Sequence, residues 1–113
     1  MNERDRRVLE KILSYCDDVE TLLNKYQRDY DLYKTDISFQ YSCNMCIIQI
    51  GELVSRLSDG FIDENTEIPW YAIKAMRNLH AHDYERVDFS IVWTSLIEDI
   101  PDLKERIEKI LLK

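Results

Sequence analysis

Glycine and proline are nearly absent, with two of each in 113 residues. So few chain breakers leave little room for the tight turns of a β-rich fold. Leu, Ile, Glu, Lys and Arg are frequent, and all but Ile are strong helix formers. No apolar run approaches the roughly 18 residues that a membrane span needs. The N-terminal Met1-Asn2-Glu3-Arg4-Asp5-Arg6-Arg7 leads into an amphipathic pattern rather than a secretory core. A surplus of positive charge is also missing: the formal net charge is -7. That argues against a broad, non-specific grip on nucleic acid, which needs many phosphate contacts. It leaves room for a local basic site, because a cleft can carry a field opposite to the net charge. Only three cysteines occur, Cys16, Cys43 and Cys46. The odd count and the lack of a secretory pattern point to reduced thiols and a cytoplasmic protein.

What is present is helical periodicity. Val8, Ile12, Tyr15, Cys16, Val19, Leu22, Leu23 and Tyr26 recur at steps of three and four. They predict an amphipathic helix from about Arg4 to Tyr26. Asp29 to Lys34 reads as a polar break without an apolar stripe. The segment from about Thr35 to Leu57 is apolar over most of a helical circumference, which predicts burial on more than one side. In so short a chain, one side is expected to face a second subunit. Ser58-Asp59-Gly60 reads as a helix stop, and Phe61 to Ile68 as a loop. Pro69 suits the first turn of a helix fading near His82. Asp88 is a plausible N-cap for a helix to about Ile100, with Phe89, Val92, Trp93 and Leu96 on its core stripe. Pro101 starts a last, short helix. The expectation is one all-α domain over 1–113, an antiparallel bundle of about four long helices plus a short C-terminal one.

Chemistry concentrates in Met76-Arg77-Asn78-Leu79-His80-Ala81-His82-Asp83-Tyr84, which holds both histidines of the chain. Lys74 and Arg86 flank it, so it forms a basic island. On a regular helix Asn78 and His82 share a face, about 40° apart, whereas Arg77 and His82 are about 140° and 7.5 Å apart. The latter two converge only where the helix ends or distorts, or where Arg77 reaches round. Histidine can move a proton at a ribose 2′-hydroxyl or a leaving oxygen. Arginine offers a planar fork of donors to a phosphate. Metal-free phosphodiester cleavage is therefore one option; Arg and His as surface or capping residues is another.

The run Arg77 to Tyr84 fits an Arg-x4-His-x-Tyr signature and resembles the HepT-like toxins of the HEPN superfamily. Gln49-Ile50-Gly51-Glu52, Ile68-Pro69-Trp70 and Val87-Asp88-Phe89-Ser90-Ile91-Val92-Trp93 resemble the same family, in order along the chain. The resemblance implies a HEPN-like bundle and a two-fold homodimer, with Arg77 and His82 of both subunits lining one cleft. It implies a metal-independent endoribonuclease acting on mRNA or tRNA, the toxin of a toxin–antitoxin pair, and no cofactor. Its implied partner is a minimal nucleotidyltransferase antitoxin, which in some systems adds AMP to the motif tyrosine, here Tyr84. Asn78 takes a supporting role. His80 is a departure from relatives and either assists His82 or competes with it. The alternative is a non-catalytic HEPN module that docks a nucleotidyltransferase or a nucleotide.

Simpler roles suit other residues. Cys43-x2-Cys46 with His80 and His82 has the composition of a zinc set, but both cysteines lie mid-helix among apolar residues and are read as buried thiols. Glu52 has two readings: it reaches the cleft and tunes a histidine, or Gly51 allows a close helix crossing with Glu52 merely solvated, the second being favoured. Trp70 and Trp93 follow apolar stripes and read as core anchors. Tyr26, Tyr30, Tyr33 and Tyr41 read as helix-face or interface residues.

Overall fold

A computed structural model describes residues 1–82 and 88–113, with side chains described for 1–77 and 88–113. Among these residues there are helices and no strand. The helices are α1 (Glu3–Lys25), α2 (Tyr30–Thr35), α3 (Ile37–Val54), α4 (Asp59–Glu64), α5 (Trp70–His82), α6 (Phe89–Thr94) and α7 (Ile100–Leu111). A π-helical turn, Ser95–Asp99, joins α6 to α7 without a break. The all-α bundle expected from periodicity is therefore present.

Helix α1 starts where Asn2 accepts a hydrogen bond from the Asp5 backbone N–H at 2.7 Å. Such a cap satisfies one of the orphan donors of the first turn. Its buried side holds Val8, Ile12, Cys16, Val19 and Leu23 of the expected stripe, together with Leu9, which the stripe did not include; Tyr15, Leu22 and Tyr26 are only partly buried. Beyond Lys25 the chain reverses through Gln27 and Arg28, both at positive φ (57° and 51°). The Arg28 N–H closes this turn on the Leu23 carbonyl at 2.7 Å.

Helix α3 is the centre of the bundle, packed between α1 and α5. Phe39, Cys43, Ile47 and Ile50 are fully buried on it. Cys43 and Cys46 are core thiols, as expected. Burial pushes their pKa values up to about 12 and about 11. Cys16, across on α1, is pushed up to about 12 for the same reason.

Two expectations require correction. Asp29 to Lys34 is not a structureless break: Asp29 caps α2 by accepting from the Leu32 N–H, and Tyr33 is fully buried. Tyr33 is thus a core residue rather than a helix-face or interface one. Six residues, under two turns of helix, are too few to show a stripe, so periodicity cannot reveal it. Likewise, Ser58-Asp59-Gly60 is a helix start. Ser58 caps α4, accepting from the Phe61 N–H at 3.3 Å, and Phe61 is buried against Trp70.

The π-helical turn explains how Pro101 sits within a nearly continuous helix. A proline lacks an N–H and its ring clashes with the carbonyl four residues earlier. The Ile100 N–H donates to Ser95, five residues back, so the helix is widened just before the proline. Asp88 caps α6 as expected, accepting from both the backbone N–H and hydroxyl of Ser90.

Candidate active site

The site is organised by the crossing of α5 over α3. Trp70 anchors the start of α5; it is buried, and its indole N–H donates to the Asn65 carbonyl at 2.9 Å. The Pro69 carbonyl accepts from the Ile73 N–H, so the proline stands just before the first helical residue. With Ile73 also buried, α5 is fixed along its first turns.

One turn beyond Ile73, Arg77 lies directly over Gly51 of α3. A Cβ placed on Gly51 would come within 2.5 Å of the Arg77 Cβ. Only glycine permits this approach, so the expected close crossing at Gly51 is present. Its consequence is that an arginine backbone sits against a helix backbone, with the guanidinium held near the C-terminal half of α3.

Glu52 differs from expectation. It is not merely solvated: Arg77 Nη1 lies 3.4 Å from Glu52 Oε1. The Arg77 side chain is 22% exposed and that of Glu52 46%. A pair so open to water stabilises the fold by only about 0–1 kcal/mol. Its value is orientation: the carboxylate aims a half-buried guanidinium. Sequence spacing could not reveal this pair, because the two residues meet only through the crossing at Gly51. The proximity of Gly51 and Glu52 in sequence was the available signal.

Of the other expected site residues, Asn78, His80 and His82 belong to α5, but their side chains lie outside the described residues. Tyr84 and Arg86 also lie outside them. The helical backbone through His82 places that position about 140° around the axis from Arg77. Lys74 is exposed one turn before. Trp93 packs against Tyr30, Tyr33 and Phe39, as a core anchor should. Among the described residues no group of three or more His, Cys, Asp or Glu side chains is placed to hold a metal ion. No described helix is long and apolar enough to cross a membrane.

The family model described as "Ribonuclease HepT-like" matches residues 12–110. The chain belongs to the HepT-like ribonuclease family. It is 30% identical over 112 residues to a protein of Methanocaldococcus jannaschii named "Putative RNase", covering 98% of this chain and 95% of that one. A second protein of that organism with the same kind of name is 29% identical over 112 residues, covering 98% and 91%. A protein of Thermococcus cleftensis named "Probable ribonuclease HepT" is 30% identical over 91 residues, covering 79% and 83%. No solved structure matches the chain significantly. Within the HepT-like frame, the Gly51 crossing and the Glu52–Arg77 pair describe how this chain holds the arginine of its Arg-x4-His run.

Proposed function

We propose that this HepT-like ribonuclease is a metal-independent endoribonuclease, the toxin of a toxin–antitoxin pair, with Arg77 and His82 as its catalytic residues. The observation that carries the reading is Arg77, whose Cα and Cβ are seated over Gly51 and whose guanidinium lies 3.4 Å from Glu52. A fork of donors fixed before substrate arrives suits a phosphate whose charge shifts in the transition state. His82 takes the proton from the ribose 2′-hydroxyl, whose oxygen attacks the adjacent phosphorus. The P–O5′ bond breaks, and the leaving 5′-oxygen receives a proton. The products are a 2′,3′-cyclic phosphate and a 5′-hydroxyl end. Asn78 supports the site, and His80 is the second candidate for the acid–base role.

Two further observations support a homodimer. Ile37, Tyr41 and Met45 are 59%, 55% and 55% exposed and recur every fourth residue on α3. Such a stripe on so small a protein suits a second copy. The roughly 140° between Arg77 and His82 on one helix is also relieved when the two side chains act from different copies.

Tyr84 is the proposed acceptor of AMP from a partner nucleotidyltransferase. The added phosphate would bring negative charge beside Arg77 and exclude RNA. A protein partner that silences by docking alone would leave Tyr84 unmodified.

The test is cleavage of RNA in the presence of a chelator, with analysis of the product ends. His82→Ala is expected to abolish cleavage while the helical content is unchanged. Arg77→Lys is expected to lose most activity, because a point charge does not replace a planar fork. Full activity in His82→Ala transfers the acid–base role to His80. Wild-type activity in Arg77→Lys removes the proposed role of the guanidinium. Mass spectrometry after co-expression with the nucleotidyltransferase is expected to find AMP on Tyr84.

A further inference from the structure

On this acidic protein, positive charge is concentrated away from the Arg-x4-His run, in an open groove between the start of α1 and the end of α3. Arg4, Arg7, Lys11 and Arg56 line it, over an apolar floor of Val8 and Leu53. Its volume is about 560 Å³, and no acidic side chain is among the residues lining it. Arg4, Arg7 and Lys11 fall within about 60° of one another on α1, spread over about 10 Å of its length. All four cations are exposed. Arg7 has one ion-pair partner, Glu3 at 3.6 Å. Arg4, Lys11 and Arg56 have none among the described residues.

The groove is fixed by a buried acid. Asp5, between Arg4 and Arg6 in sequence, is 2% exposed. It accepts from the Ser58 N–H at 2.9 Å and the Ser58 hydroxyl at 2.6 Å. The bond ties the first turn of α1 to the corner after α3, where Arg56 lies. It also turns the acidic side chain between Arg4 and Arg6 inward, which leaves Glu3 as the acidic partner on this surface. Arg56 lies in the turn just past the end of α3, four residues after Glu52, so the groove and the Glu52–Arg77 pair share the C-terminal end of that helix.

We propose that this groove binds the phosphate backbone of single-stranded RNA and leads it to Arg77. The inference rests on the ribonuclease reading for the identity of the ligand. Four exposed cations with one acidic partner among the described residues match a polyanion, and the apolar floor can take the face of an unstacked base or ribose. The groove gives length-dependent, sequence-independent affinity, whereas Arg77 and His82 act on one phosphodiester.

The test is fluorescence anisotropy with a labelled single-stranded RNA 20-mer, 2′-O-methylated throughout so that it lacks the attacking hydroxyl. Its affinity for the full-length protein is measured across a salt series. Arg4→Gln/Lys11→Gln, with two charges removed, is expected to weaken binding about tenfold or more at low salt. The slope of log affinity against log salt should fall by roughly 1.4, at about 0.7 per phosphate contact on a single strand. Arg56→Gln should add to the loss. Arg4→Lys/Lys11→Arg should bind as the wild type does, because phosphate contacts here need charge rather than shape. Wild-type affinity and salt slope in Arg4→Gln/Lys11→Gln overturn the proposal. Loss of an acidic protein partner by these variants with RNA binding unchanged assigns the groove to that protein instead, and likewise overturns it. The two readings fail separately. A wild-type protein that binds the 20-mer through these cations but cleaves no RNA refutes the ribonuclease reading and leaves the groove standing. Cleavage by a protein whose RNA affinity ignores these cations does the reverse.

Discussion

Along α3, the N-terminal half and the C-terminal half meet their neighbours through opposite chemistry. In the first half, Phe39 lies against Tyr26, Tyr33 and Trp93, with ring centroids 4.3, 5.2 and 6.1 Å away. Every named polar group there has a partner. The Tyr33 hydroxyl donates to Asn44 Oδ1 at 3.0 Å, and Gln40 Nε2 donates to the Tyr33 carbonyl at 2.8 Å. In the second half the contact is a missing side chain at Gly51 and a loose ion pair at Glu52, with an exposed cation, Arg56, just past the helix end. The first end gains stability from buried area and satisfied hydrogen bonds. The second keeps Ile47, Ile50, Leu53 and Val54 in the core, and gives up a side chain only at Gly51, where Arg77 crosses. One helix thus packs by aromatic contact at one end and by a close helix crossing at the other.

The largest effect that can break this comparison is at Tyr33. Tyr33→Ala should cost about 3–5 kcal/mol, as loss of a large buried aromatic does. Tyr33→Phe should cost about 1–2 kcal/mol, because it leaves the Asn44 oxygen without its donor. Urea denaturation measures both. If the first end serves stability alone, Tyr33→Phe should cleave RNA as the wild type does at a temperature where both are folded. A cost below about 1 kcal/mol for Tyr33→Ala would remove the contrast.

Gly51→Ala comes next. The new methyl meets the Arg77 Cβ, which cannot swing aside, so α5 must shift. Overpacking should cost about 1–3 kcal/mol, less what alanine returns in helix propensity. Ribonuclease activity should fall by up to about 100-fold, because a displacement near 1 Å in a positioning residue suffices for that. Denaturation and cleavage assays on one preparation separate the two effects. Unchanged activity would mean that the crossing does not position the site.

The smallest effect concerns the thiols, two of which lie in the buried stretch of α3. Burial raises Cys16 and Cys43 to about 12 and Cys46 to about 11. Each folded value is above the thiol's ordinary value of 9.0, so the buried neutral form favours folding. This contribution is complete below pH 9 and is lost as pH rises from there through 11 to 12. A thiol reagent at pH 8 should label none of the three in native protein and all three in urea. Fast labelling of Cys43 in native protein would show that the stable end opens readily.

Much of this organisation was legible in the residues themselves. The helix of α1, the apolar character of α3, the Pro69 start of α5 and the Asp88 cap follow from spacing and capping chemistry. These are local effects, and 23 or 18 consecutive residues in one helix repeat the signal enough to be read. Helices α2 and α4, of six residues each, escaped notice because a turn and a half carries no period. Their buried Tyr33 and Phe61 are held by distant partners, Asn44 and Trp70, rather than by neighbours in sequence.

By itself, the sequence determined an all-helical chain, the position of its basic Arg-x4-His run and the presence of a glycine able to admit a close crossing. Those properties reside in backbone preference and in the order of residue types, which no partner has to supply. The tertiary structure decided that the crossing falls on Arg77, that Glu52 is the carboxylate beside it, and that Asp5 turns inward to Ser58 while Arg4, Lys11 and Arg56 stay on one surface. Each of these joins residues from different helices. Electrostatic and van der Waals contacts depend on distance in space, and that distance exists only once α1, α3 and α5 have packed.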